Sequence, residues 1–435
     1  MTDTAVARAA FEPDLAPRHE EPEFLSALRH RAAASFKDAG LPTPRQEAWR
    51  FTNLKELAAT PWTVAPKTTA APDVRPWLLA DTDTLVFVNG WLQADLSDTR
   101  GLPGEVVATS LAEALERWPR RVEANLGQAV PEGQPFAELN TASFADGAYV
   151  EIPPGAVLER PLHLLFVSVA GTEPSLSWPR ALIVAGRGSQ ARVVESHVGL
   201  PGRYLACPVT ELLLEDGAVL THHRLQAESG EGAHVAVQAT RQERDTTLSS
   251  ALLSIGAELA RTDVHAVLAG SGSTCSLDGL YLAEGRQHVD HQVRVEHLAP
   301  HASSHQLFKG IMDGRSRAVF NGRIVVAQDA QKTDATQANR NLLLSRDALA
   351  HSNPQLEIFA DDVRCTHGST VGRLDEEAVF YLRSRGLPKA AAESLLTWAF
   401  ASEVVDRIGV EPLRARMEET LARRLPQGAL VKDAT

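Results

Sequence analysis

Cysteine is scarce in this sequence, aromatic residues make up only 6%, and no apolar run is long. The three cysteines, Cys207, Cys275 and Cys365, are odd in number, far apart and without a C-x-x-C pair, which argues against a secreted disulfide framework and for a reducing compartment. The longest apolar runs, such as 162–169, fall far short of the ~18–20 residues a membrane span needs. Acids appear early in the N-terminal stretch and no apolar h-region interrupts it, so neither a secretory signal nor a transit peptide is expected. The chain reads as soluble and cytoplasmic. Basic charge is short as well: 43 Lys+Arg stand against 55 Asp+Glu, a net charge of −12, and no Lys/Arg cluster runs along one face. That removes the electrostatic footprint of nucleic-acid binding. No G-x-x-x-x-G-K-[ST] occurs, so the chain has no ATP site of its own and any ATP use belongs to a partner.

What is present divides the 435 residues into regions. Residues 1–20 have no period and read as a flexible tail. The 21–143 region is mixed but largely helical: a helix from Glu23 to Gly40, a short helix over 47–57, a Thr/Ala/Pro-rich linker over 61–76, and helical spacing over 111–126. Between them, 84–88 and Trp91-Leu92 flank Asn89-Gly90, the turn pair of a tight β-hairpin. From about 144 to 370 apolar residues come in short runs rich in β-branched side chains and separated by turn residues. Val289, His291, Val293, Val295 and His297 fall on one side of a period-two alternation. So many strands without intervening helices exclude a doubly wound α/β sheet and leave a sandwich, a barrel or a β-helix. The turn signals Glu215-Asp216-Gly217 and Asp313-Gly314 recur, but no exact short repeat chooses among the three. The 371–435 region reads as a helical domain, with Asp375, Glu376 and Glu377 on a first turn, Gly386 closing it, and Pro388 and Pro412 opening two more helices.

Three signals carry possible chemistry. The segment Gly186-Arg187-Gly188-Ser189-Gln190-Ala191 has dinucleotide-site spacing, but strand-like residues follow where a helix is required, so it reads as a β-turn. His297, His301 and His305 would share a helix face, but Pro300 and the strand flanks deny them that helix, and with fifteen histidines such spacings are cheap. Cys365 and His367 are two apart, so a strand there puts thiol and imidazole on one face, with Gly368 leaving room beside them. That pair suits soft metals and iron-sulfur species. A cluster usually takes four ligands, and Cys207 and Cys275 are remote in sequence, so a second chain would have to complete the shell.

Beyond these residues an ordered set of motifs appears: Ala330-Gln331-Lys332-Thr333-Asp334-Ala335, Asn341-Leu342-Leu343-Leu344-Ser345, Pro354-Gln355-Leu356-Glu357-Ile358, Asp361-Asp362-Val363-Arg364-Cys365-Thr366-His367-Gly368 and Phe380-Tyr381-Leu382-Arg383-Ser384-Arg385-Gly386. In this set the chain closely resembles the SufB/SufD family of iron-sulfur cluster assembly proteins. Arg45-Gln46-Glu47-Ala48-Trp49-Arg50-Phe51-Thr52-Asn53-Leu54 and the FAELN run at 136–140 resemble the SufD branch. The resemblance implies a mainly β fold, a right-handed parallel β-helix flanked by an N-terminal helical region and a C-terminal helical domain. It implies a non-catalytic scaffold that pairs with a SufB-like paralogue and docks a SufC-type ABC ATPase through the C-terminal helices, with sulfur arriving indirectly from a desulfurase system. His367, with Cys365 as neighbouring ligand, is implied as the site of a transient iron-sulfur cluster shared with SufB. Gly368 stands where SufB carries Glu. A flavin on the assembled complex and a homodimer when SufB is scarce are left open, with no residue assigned to either. The rival reading is a β-helix carbohydrate enzyme using Asp361 and Asp362, which adjacent strand positions would point to opposite sides. A purely structural reading, with an inert C-x-H, differs from the first only at His367.

Overall fold

The computed structural model describes residues 11–12, 21–67 and 72–428. Its centre is a β-solenoid of about eight turns, in which the chain alternates between two parallel sheets. One sheet carries Asp83–Val88, Leu162–Ser168, Gln190–Gly199, Val219–Ala227, Thr247–Ser254, Thr274–Ala283, Ser303–Met312, Asp334–Leu343 and Arg364–Gly372 in spatial order. The other carries Gly147–Ile152, Arg180–Ala185, Val209–Leu214, Ala233–Gln242, Leu259–Leu268, His288–His297, Arg317–Val326 and Leu349–Ile358. Leu259 lies over Ala233, His288 over Leu259, Arg317 over His288 and Leu349 over Arg317, so successive turns take 26, 29, 29 and 32 residues. This drift explains why no exact repeat is visible in the sequence. Alternation does the rest: in His288–His297 the residues Val289, His291, Val293, Val295 and His297 are all buried in the lumen.

The turns are built as their residues require. Asn89 (φ 50°) and Gly90 (φ 88°) give the left-handed pair of the hairpin that sets Phe87 opposite Leu92. Gly188 (φ 65°) turns the chain between Arg180–Ala185 and Gln190–Gly199, so the glycine-rich segment is a β-turn. His297 ends one strand, His301 sits in a turn at φ 61° and His305 lies in the next strand, so the three share no helix face.

Helices cover both outer faces. The N-terminal ones are α1 (Glu23–Ala39), α2 (Lys55–Ala59), α3 (Leu111–Arg117), α4 (Pro119–Asn125) and α5 (Pro135–Ser143). Leu25, Phe36, Trp49, Val122, Phe136 and Leu139 pack on Leu182, Val209, Val235 and Val237, and Phe11 of the expected tail is buried with them; the rest of 1–20 lies outside the described residues. Three expectations are corrected here. The helix expected over 47–57 is a single 3-10 turn, Glu47–Trp49, followed by α2, because the intervening segment clasps the solenoid. The helix expected over 111–126 is cut in two at Trp118, where Pro119 has no N–H to continue the ladder. The linker expected over 61–76 contains Thr63–Val64, a short strand paired with Ser175–Ser177, and a 3-10 turn at Arg75–Trp77; its residues 68–71 lie outside the described residues.

On the opposite face lie α6 (Glu376–Ser384), α7 (Lys389–Val405) and α8 (Glu411–Arg424). Asp375 caps α6 by accepting from the Glu377 N–H at 2.9 Å, and Gly386 (φ 97°) ends the segment. The stripes of α7 and α8 (Trp398, Val404, Leu413, Met417 and Leu421) do not merely pack on each other. They bury Leu225, Leu253, Leu280, Leu307 and Ile311 on the solenoid wall, each such aliphatic contributing on the order of 1.5–3 kcal/mol.

Candidate functional site at the open end of the solenoid

The last turn of the solenoid is Leu349–Ile358 in one sheet and Arg364–Gly372 in the other, and each is paired along one side only. Arg364–Gly372 runs over Asp334–Leu343 with Cys365 on Ala335 and His367 on Gln337. Ala335 and Gln337 face the lumen: Gln337 is buried, donates to Gln306 Oε1 at 2.9 Å and faces Gly322 of the opposite wall. Period two therefore places Cys365 and His367 in the lumenal column, as their spacing implies, and His367 is exposed because the stack ends above it. Gln337 Oε1, one turn below, is a buried acceptor without a partner.

Cys365 is half-buried beside Ala330, Ala335 and Ala360. Burial pushes its thiol up and the Asp334 charge pushes it further, so at neutral pH it is a protonated thiol. The strand that carries the pair starts at Arg364. Gly368 takes the alternate face, with open space where a Cβ would stand, so it does not make room beside the pair. Asp361 and Asp362 lie exposed in the preceding turn, where Asp362 is tied to Lys332 by an ion pair and accepts, through its backbone carbonyl, from the Lys332 N–H at 2.7 Å. They form no facing pair of acids.

Among the described residues, no third His, Cys, Asp or Glu joins Cys365 and His367 in a ligand group; the group that does form is His197, Glu228 and His234, deep in the lumen. Sequence reading missed it, because charged residues in a strand read as solvent-facing and the register that sets Glu195 beside Arg224 is not visible along the chain. Glu195 bonds His197 Nε2 at 2.5 Å and His222 Nε2 at 3.3 Å, accepts from Thr210 Oγ1 at 2.8 Å and faces Arg224 at 3.4 Å. Burial opposes its charge, but the Arg224 guanidinium and the two imidazoles hold its carboxyl well below the usual range. Burial and Arg224 push His197 down to about 4, against the pull of Glu195. His234 bonds Glu228 through Nδ1 at 2.6 Å and faces Arg224 through Nε2 at 3.3 Å. A cation on Nδ1 would shift the ring proton to Nε2, where it meets the arginine donor. Arg224 thus supplies the positive charge, while its Nε and the Nδ1 of His222 stay buried without a hydrogen-bond partner.

Several of the other motif residues fasten segments to the solenoid. Trp49 is buried with the Arg261 guanidinium 3.5 Å from its ring, Arg261 donates to the Ala48 carbonyl at 2.8 Å and pairs with Asp263 and Asp290, and Thr52 bonds His288 at 2.9 Å. Asn140 donates to the carbonyls of Pro179 and Cys207 at 2.8 Å and accepts from Arg180. At the open end Gln331 accepts from the Asp362 N–H at 2.9 Å, so two motif loops stack.

Two family models cover nearly the whole chain: the SufBD protein N-terminal region matches residues 16–164, and the SUF system FeS cluster assembly SufBD core domain matches 166–400. The chain belongs to the SufBD family. An iron-sulfur cluster assembly SufBD family protein of Synechocystis is 34% identical over 416 residues, covering 93% of this chain and 92% of that protein. The iron-sulfur cluster assembly protein SufD of Escherichia coli is 32% identical, with 90% of each chain covered, and SufD of Bacillus subtilis is 25% identical. The SufBD assignment agrees with the resemblance carried by the motifs. No helix among the described residues is long and apolar enough to cross a membrane.

Proposed function

We propose that this SufBD family chain is a SufD-like, non-catalytic subunit of a cytoplasmic cluster-assembly scaffold, whose open solenoid end pairs with a SufB-like paralogue and holds a nascent iron-sulfur cluster as cargo. The observation that carries it is an exposed His367 beside a half-buried Cys365 in the lumenal column of an edge strand. Two ligand-type side chains facing a free edge are half a shell, and a partner docked there supplies the other half. On cluster binding Cys365 gives up its proton, and His367 coordinates through one ring nitrogen.

A SufC-type ABC ATPase docks on α6, where Phe380 and Tyr381 are 71% and 57% exposed and no residue is buried. Helices α7 and α8 pack on the same sheet that ends in Arg364–Gly372, through Leu307, Ile311 and Leu342. Closure of two ATPase subunits therefore acts through packed elements that shift between discrete arrangements, opening the paired ends to iron and sulfur. A homodimer through the same edge is the state expected without the paralogue.

The test is anaerobic cluster reconstitution on the co-purified complex of this chain with SufB-type and SufC-type proteins. His367→Ala is expected to abolish cluster absorbance while the complex elutes unchanged. Wild-type cluster yield in that variant would sink the site, and failure of the three proteins to co-purify would sink the pairing.

A further inference from the structure

No arginine cluster is visible along the sequence, yet the stacking of turns assembles one. Arg286, Arg315 and Arg346 occupy successive turns at one corner of the solenoid: the Arg315 N–H donates to the Gly285 carbonyl at 2.7 Å, and the Leu349 N–H to that of Ser316 at 3.1 Å. With Arg203 and Arg317 they line a groove of about 820 Å³ between this corner and Phe51, Asn53, Glu56 and Leu57 of the N-terminal region.

The turns sort their charges. In Glu284-Gly285-Arg286 and Asp313-Gly314-Arg315 the glycines adopt φ 61° and 66°, and acid and base leave on opposite sides. Glu284 and Asp313 line the cavity beneath α7 and α8, whereas Arg286 and Arg315 line the groove on the other side. Among the described residues, Arg286, Arg315, Arg317 and Arg346 have no carboxylate within ion-pair distance, and Arg203 has only the Thr60 hydroxyl at 3.1 Å. Five arginines against Glu56, Glu258 and Asp347 leave the groove positive in a chain whose net charge is −12. Its field reaches neighbours: after burial, the Arg317 charge helps hold His351 below its ordinary range, and it acts in the same direction on His288.

Like charges gathered without counter-ions repel one another, and an anion relieves that repulsion. Successive turns space the backbones that carry these arginines roughly 4.8 Å apart, and their long side chains can converge on adjacent phosphates of one ligand. We propose that this groove binds a small molecule carrying two or more phosphate groups. The groove is lined by neither Cys365 nor His367 and does not depend on the cluster reading.

The test is titration of the full chain with inorganic diphosphate at low salt, followed by calorimetry and ³¹P line broadening. Saturable binding is expected, weakening as salt is added. Arg315→Ser with Arg317→Ser should weaken it about tenfold or more, whereas removing the same charge elsewhere, by Arg187→Ser with Arg244→Ser, should change it less than about twofold. Thermal unfolding of both double variants checks that each is folded. Absence of saturable binding at millimolar diphosphate, or equal weakening in both variants, would overturn the proposal. Binding of poly-glutamate but not diphosphate would overturn it in favour of an acidic protein partner.

Discussion

His197, Glu228 and His234 in the middle of the lumen, and Cys365 with His367 at its mouth, are both sets that metals favour, yet the first is bonded to Glu195 and Arg224 and the second stands at an unpaired edge. In the middle, Arg224 and Glu195 supply the charges that the imidazoles need, and burial keeps His197 neutral. At the mouth, Cys365 and His367 have no third ligand group among the described residues. Residue type alone therefore does not separate the two sets; the state of the surrounding hydrogen bonds and the end of the stack do.

That contrast can be broken in several ways. The largest effect should come from acid. His197, His291 and His297 are pushed down to about 4 chiefly by burial, from an ordinary value of 6.5. Each therefore binds its proton more readily unfolded than folded, so its stabilisation is whole above 6.5 and is lost as pH falls toward 4. Each adds a slope of about 1.4 kcal/mol per pH unit within that window. Denaturant midpoints measured across the window should fall steeply, and His291→Gln should make the fall shallower by one such increment; an unchanged slope would mean that the buried imidazoles are not neutral.

Next comes Glu195→Ala, which strands Arg224 in the lumen and should cost about 3–5 kcal/mol by denaturant unfolding. A loss under about 1 kcal/mol would show that the network is not closed by charge. Thr210→Val removes the hydroxyl donor to Glu195 and should cost less, about 1.5–3 kcal/mol. Smallest is Phe380→Ser at the exposed α6 face, expected within about 0.5 kcal/mol of wild type in stability while abolishing co-elution with a SufC-type ATPase. Retained co-elution would move the docking face elsewhere.

The hairpin at Asn89-Gly90, the strand alternation around Val293 and the Gly386 stop and Pro388 start between the C-terminal helices were legible because each rests on local chemistry. Cys365 and His367 were legible as a pair because two residues along a strand share a face, but whether that face met lumen or solvent depends on which turn lies beneath. The lumenal network and the arginine corner were not legible. Their members are brought together by inter-turn register, and with turns of 26 to 32 residues no fixed spacing in the sequence announces them. The stripes of α7 and α8 announced burial without naming the sheet that buries them.

The free edge of the last turn has a consequence at the level of the cell. A strand paired on one side presents the same row of backbone donors and acceptors to every chain that offers a matching strand. Under the proposed pairing, copies of this chain and copies of a paralogue compete for the rows of these edge strands, so occupancy follows mass action rather than intrinsic affinity alone. The relative synthesis of the two chains then becomes a structural variable, setting which assembly exists before any iron or sulfur arrives.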